Sequence, residues 1–290
     1  MEAPSPAASA ALTAALAVIM LSLGTTLRGE QFRLVFTEPR GVLVGLVNLI
    51  VLAPLIAYGV AKVSGLDPVF AAGLMLLGAA PGGVFANLLT HLARGATALS
   101  VSMTAISSTL AVVTVPFWIS VAFASFDLED EIAIDMVPIV VRVLVGIAVP
   151  LAIGMWLAAR RPAWVAANEQ RLERVAIATF AVLVVIATAT QAATVLDHLG
   201  ELLLATIALN VIAMALGFTA SRVARLDRPQ SVAIAIELGI HNAALAVAIG
   251  TAVDERLAVP AAVYSAVMVV TGTAFAYAMA RAGRQAEVAA

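Results

Sequence analysis

Apolar residues along this chain come in long blocks, falling at about residues 8–27, 41–63, 68–93, 97–125, 136–159, 175–196, 202–221, 230–253 and 257–280. Ala, Gly, Val and Leu fill most of these runs on every face, and there is no period of two. That pattern predicts lipid-spanning helices and argues against barrel strands. One crossing of a hydrocarbon core takes about 20 apolar residues, so the runs predict an all-α membrane protein with nine transmembrane helices. Glu2 is the only charge before Arg28. Without a basic stretch ahead of it, the first run reads as structure and not as a cleaved leader.

Composition agrees: 62% of the 290 residues are hydrophobic and 12% charged, against about 25% charged in a soluble domain. The absence of cysteine removes disulfides and thiolate metal sites together. Charge carries its information in its distribution. Thirteen arginines between Arg28 and Arg284 lie at one set of alternate helix ends, and the other set holds only Lys62 and Arg256. The second set also has the acidic cluster Asp127, Glu129, Asp130, Glu131 and Asp135, read as a solvated loop. By the positive-inside rule the N-terminus faces outward and the C-terminus the cytoplasm, which suits a bacterial inner membrane. Arg142 sits near enough to a span end to snorkel.

Two spans are interrupted at their middles. The third contains Pro81-Gly82-Gly83 followed by Asn87, and the eighth contains Glu237-Leu238-Gly239-Ile240-His241-Asn242. Proline removes a backbone donor and adjacent glycines weaken propagation, so the third span should unwind. Broken helices at bilayer depth line polar cavities or lie buried in protein. The lead-ins echo each other, Leu66-Asp67-Pro68 against Leu226-Asp227-Arg228-Pro229. By the charge count they lie on opposite sides, so the halves read as two inverted repeats with a site at their interface.

Glu237 is the only acidic residue within a span, and a carboxylate there costs roughly 2.5–3.5 kcal/mol on the translocon scale. It reads as a cation ligand, against the alternative of a carboxyl bonded to local backbone. Asn87, Ser100 and Thr104 are candidate co-ligands; Ser100 and Thr104 are four apart and share a face, with Ser108 a turn further. None of these donors is soft, which suits an alkali cation. His241 either bonds a carbonyl freed by the break or adds a proton-sensitive group. His91 and His198 read as interfacial, and Pro54, Pro116 and Pro150 as kinks.

The blocks Ala80-Pro81-Gly82-Gly83-Val84-Phe85-Ala86-Asn87, Ala98-Leu99-Ser100-Val101-Ser102-Met103-Thr104 and Glu237-Leu238-Gly239-Ile240-His241-Asn242 resemble the bile acid:sodium symporter family, in its nine-helix form. The resemblance implies a secondary transporter that couples sodium entry to uptake of an organic anion by alternating access. It implies a panel domain, residues 1–39 and 127–197, and a core, residues 40–126 and 198–290, whose two broken helices cross. Carried over by position, one sodium site would use Asn87, Ser100, Thr104 and Glu237. A second would use Glu237, Leu238, Ile240 and His241, where His241 stands in place of a glutamine and Leu49, next to Asn48, in place of another. Substrate would meet Pro81, Gly82, His241 and Asn242 at the breaks.

The partners expected are sodium, an organic anion and lipid, with no nucleic acid and no obligatory protein. A proton-coupled or uncoupled anion or oxyanion permease is the alternative within transport. A membrane receptor or intramembrane enzyme is the alternative outside it; only His241 beside Glu237 resembles a catalytic pair.

Overall fold

The structure is a computed structural model that describes residues 6–27, 34, 36–129, 132 and 136–289. Asp130, Glu131 and Asp135 of the acidic loop, the basic residues Arg28 and Arg33, and the side chain of Arg142 lie outside the described residues. The elements are α1 (Pro6–Thr26), α2 (Pro39–Ser64), α3 (Pro68–Ala79), α4 (Val84–Leu92), α5 (Thr97–Ser125), α6 (136–160), α7 (Pro162–Thr190), α8 (Ala192–Asp197), α9 (Leu199–Val223), α10 (Arg228–Gly239), α11 (Ala243–Val253) and α12 (Val259–Ala289). Among the described residues the fold is all-helical, and six helices are long and apolar enough to cross a membrane.

The third and eighth apolar runs are each two helices. At about 1.5 Å per residue, the 12-residue α3 and α10 are each roughly 18 Å long and stop short of crossing about 30 Å of hydrocarbon. Their entries match. Gly65 and Arg225 take left-handed φ values of 63° and 58°. Asp67 then caps α3 by accepting from Val69 N–H, and Asp227 caps α10 in a capping box with Gln230. The echo in the lead-ins is therefore an echo in backbone geometry.

Two of the three prolines read as kinks do something more specific. Proline cannot donate to the carbonyl four residues back and its ring crowds it. A π turn over Asn48–Leu52 precedes Pro54, and another over Leu144–Ala148 precedes Pro150. Trp118 Nε1 donates at 2.8 Å to the carbonyl of Ile50, four residues before Pro54. Pro116 sits inside α5, which remains α-helical around it.

Helix α7 differs from expectation in its bounds. The run was expected at 175–196, but the helix begins at Pro162 and ends at Thr190. Its 29 residues make a rod of about 44 Å, long enough for the charged turns through Glu169 and Arg174 to stand beyond the hydrocarbon. Charge therefore marks where α7 leaves lipid, not where it starts.

Packing divides the helices by partner. Helix α1 packs chiefly on α6 and α7, α2 on α3, and α9 on α10 and α12. At the α1–α6 crossing, a β-carbon on Gly24 would overlap the Leu151 carbonyl and one on Gly154 the Leu21 carbonyl. Only glycine permits that approach.

Candidate functional site

The two interrupted helices cross at their breaks and are joined there by backbone hydrogen bonds. Gly83 N–H donates to Ile240 O at 3.3 Å and Asn242 N–H to Pro81 O at 2.8 Å, around a bridge between Gly82 and His241. Groups freed by one break thus satisfy those freed by the other, which is what a low-dielectric interior demands. Asn242 also caps α11, its Oδ1 accepting from Leu245 N–H at 3.2 Å. His241 Nδ1 lies 3.2 Å from the Ala80 carbonyl, in keeping with the reading of a bond to a freed carbonyl. Its Nε2 is buried without a partner.

Beside this crossing, α4, α5 and α10 bring Asn87, Ser100, Thr104 and Glu237 together. Ser100 Oγ lies 2.6 Å from Glu237 Oε1 and 2.8 Å from Asn87 Oδ1. Thr104 Oγ1 lies 2.9 Å from the same carboxylate oxygen and 3.4 Å from Asn87 Oδ1. Thr90 extends the chain, donating to Ser100 Oγ at 3.3 Å. Glu237, Ser100, Thr104 and Thr90 are fully buried.

A hydroxyl carries one proton, so Ser100 and Thr104 can each donate to only one of the two acceptors between which they stand. Glu237 Oε2 receives no donor at all. The cluster therefore has more lone pairs than protons in a buried setting. Its donor set is a carboxylate, an amide carbonyl and hydroxyls, all hard oxygens, and it fits a hard monovalent cation.

The other residues singled out in sequence fall around this cluster. Leu238 and Ile240 are buried in the crossing, and the Ile240 carbonyl takes the Gly83 N–H. Leu49 is buried, and Asn48 turns its amide back to Val44 O at 2.6 Å. His241 and Asn242 line a cavity of about 250 Å³. Its other walls include Met20 of α1, Phe85 of α4, Phe180 of α7 and Met268 of α12. Gly83, not Pro81 or Gly82, is the residue of the first break among its lining. Ser108 Oγ is buried without a partner. His198 lies between α8 and α9, paired with Glu201 and edge-on to Phe70.

Sequence reasoning missed two contributors. Thr90 lies one turn after Asn87 on α4, and this spacing was its signal. Gly82 was read as a helix breaker and a substrate contact, but a β-carbon there would overlap Glu237 Oε2, so what it does here is make room for the carboxylate.

The sodium bile acid symporter family matches residues 13–198, a span that includes Asn87, Ser100 and Thr104. An uncharacterized sodium-dependent transporter of Bacillus subtilis is 31% identical over 259 residues, covering 89% of this chain and 79% of the relative. A chloroplastic protein of Arabidopsis thaliana, named a probable sodium/metabolite cotransporter, is 30% identical over 263 residues, or 90% of this chain and 64% of the relative. A sodium-dependent organic anion transporter of Mus musculus is 32% identical over 145 residues, covering 50% of this chain and 39% of the relative. The chain is a multi-pass membrane protein and belongs to the sodium bile acid symporter family, a family of sodium-dependent transporters.

Proposed function

We propose that this protein is a sodium-coupled symporter of an organic anion, and that Asn87, Ser100, Thr104 and Glu237 hold the transported sodium. The observation that carries this reading is the Ser100 hydroxyl between Asn87 Oδ1 and Glu237 Oε1, beside a carboxylate oxygen with no donor. A cation entering the cluster satisfies those lone pairs and offsets the burial of the carboxylate.

The cavity between α1 and α7 on one side and α4, α11 and α12 on the other is the proposed substrate cleft. Its walls carry Gly83, Val84 and Asn242 to Ala244 at the starts of α4 and α11, whose positive dipole ends suit a carboxylate. Its remaining surface is mostly apolar, which suits the body of an organic acid, with Glu173 of α7 as a carboxylate in its lining. We read α1, α6, α7 and α8 as a panel and the other helices as a core, with nine crossings in two inverted repeats. The N-terminus would then lie outside and the C-terminus in the cytoplasm of an inner membrane. Rocking of one domain against the other alternates access to the cleft.

At the second set of residues Ile240 O takes the Gly83 N–H and His241 Nδ1 lies against Ala80 O, while His241 Nε2 and Asn48 Oδ1 are buried without partners. Leu49 has no side-chain oxygen. With His241 and Leu49 in place of two glutamines, the reading is one sodium per anion. A tenfold gradient supplies about 1.4 kcal/mol per ion, and one sodium with a monoanion moves no net charge. Accumulation would be limited to roughly tenfold; a second ion at about −100 mV would add about 3.7 kcal/mol.

The test is uptake of radiolabelled taurocholate and pyruvate into proteoliposomes under sodium, potassium and proton gradients, with wild-type protein and Glu237→Ala. The reading expects uptake of at least one probe to follow the sodium gradient and to disappear in the variant. Uptake that ignores sodium and survives the substitution contradicts it.

A further inference from the structure

The last turn of α10, which carries Glu237, ends buried inside the protein, where the free carbonyls of a helix C-terminus need donors. The carbonyl of Gly239 has two. Asn210 Nδ2 of α9 donates to it at 2.6 Å and Tyr264 OH of α12 at 2.8 Å. Asn210 Nδ2 also donates to Tyr264 OH at 3.0 Å, and Thr271 Oγ1 stands 2.6 Å from Asn210 Oδ1 and 2.7 Å from Val267 O, its one proton serving one of the two. Asn210 and Tyr264 are both fully buried.

Each polar atom of this Asn–Tyr pair has a partner within the network. Around Glu237, by contrast, Oε2 is buried without one. The two clusters lie on α10 two residues apart. One holds the backbone, and the other presents the carboxylate. On the side facing α3 and α4, Gly82 stands against Glu237 Oε2, leaving the carboxylate little room to move toward the first break.

We propose that Asn210 and Tyr264 are positioning residues for the cation site: by bonding the Gly239 carbonyl from α9 and α12 they fix the end of α10, and with it where Glu237 meets Ser100 and Thr104. Thr271 supports the pair by orienting the Asn210 amide. This role rests on the proposed cation site. Loosening the Gly239 carbonyl weakens sodium binding and alters the preference for sodium over the smaller lithium ion, because ligand spacing selects for size.

The experiment uses the purified full-length protein and reads its thermal unfolding midpoint in sodium, lithium or choline chloride. The sodium concentration giving half of the upshift measures affinity, and the midpoint in choline measures general stability. Tyr264→Phe deletes one donor at nearly constant volume and should raise half-saturating sodium about three- to tenfold, with a changed ratio to lithium. Adding Asn210→Ala, which leaves Gly239 O without either donor, should raise it further. Half-saturation and ion ratio that stay at wild-type values in both variants overturn the proposal, even if the midpoint in choline falls. Glu237→Gln is measured alongside. If the wild type does not respond to sodium, the cation site falls and the positioning role with it. A response lost in Glu237→Gln but untouched in the other variants overturns the positioning role alone.

Discussion

Gly82 and Glu237 lie in direct apposition, and a β-carbon on Gly82 would overlap the carboxylate oxygen that has no donor. The glycine therefore does two things at once. It lets the third apolar run unwind, and it leaves the space into which a carboxylate from the other broken helix projects.

Gly82→Ala should displace Glu237 or be relieved only by moving backbone, because the overlap is with a group held by Ser100 and Thr104. Overpacking of this kind costs about 1–3 kcal/mol. Half-saturating sodium should rise by at least about fivefold. Gly83→Ala is the control: its β-carbon would meet the His241 carbonyl at 3.3 Å, a tight contact that a small shift relieves. Sodium-dependent thermal stabilisation of the two variants, compared side by side, checks the difference.

Within the cluster, Ser100 should matter more than Thr104. Ser100 stands 2.6 and 2.8 Å from its two acceptors and Thr104 stands 2.9 and 3.4 Å from the same pair. Ser100→Ala should therefore weaken sodium dependence of uptake by about three- to tenfold, and Thr104→Val by less. Equal effects would show that distance to the acceptors does not set the contribution.

Glycines elsewhere divide by what surrounds them. Gly154→Val should cut the yield of folded protein and lower its unfolding midpoint, since the added atoms would enter the backbone of α1. Gly59→Ala and Gly200→Ala meet nothing within 4 Å and, since alanine is the better helix former, should hold or slightly raise the midpoint. Detergent-solubilised protein followed by size-exclusion chromatography and thermal melting distinguishes the two groups.

The cap on α10 gives a separate handle on stability. Asp227→Ala removes the side chain that accepts from Gln230 N–H at 2.8 Å and should destabilise by about 0.5–2 kcal/mol. Since this cap lies at the opposite end of α10 from Glu237, half-saturating sodium should stay near the wild-type value while the midpoint in choline falls.

Much of this architecture is legible from residue chemistry. Pro81-Gly82-Gly83 marks the first break because proline and paired glycine oppose helix. The second break has no proline, but a carboxylate, an imidazole and an amide within Glu237 to Asn242 could not stand in a plain lipid-facing helix. Ser100 and Thr104 share a face by their spacing, and the structure puts that face against Glu237. Other features depend on partners distant in sequence. Asn210 and Tyr264 are single polar residues in apolar spans and look like interface packing until α9, α10 and α12 are brought together. The start of α7 is not legible from the apolar run, because its charged first turns continue the helix. The π turns before Pro54 and Pro150 arise from a local conflict that sequence shows, but its resolution depends on what receives the freed carbonyl. In α2 that is Trp118, 68 residues from Ile50.

The account rests on a sodium ion held at Glu237, and the most direct measurement is equilibrium binding of radioactive sodium to the purified protein and to Glu237→Gln. The account predicts saturable binding near one ion per chain in the wild type, with none in the variant over the same concentration range. Saturable binding of equal stoichiometry and affinity in both proteins would contradict it.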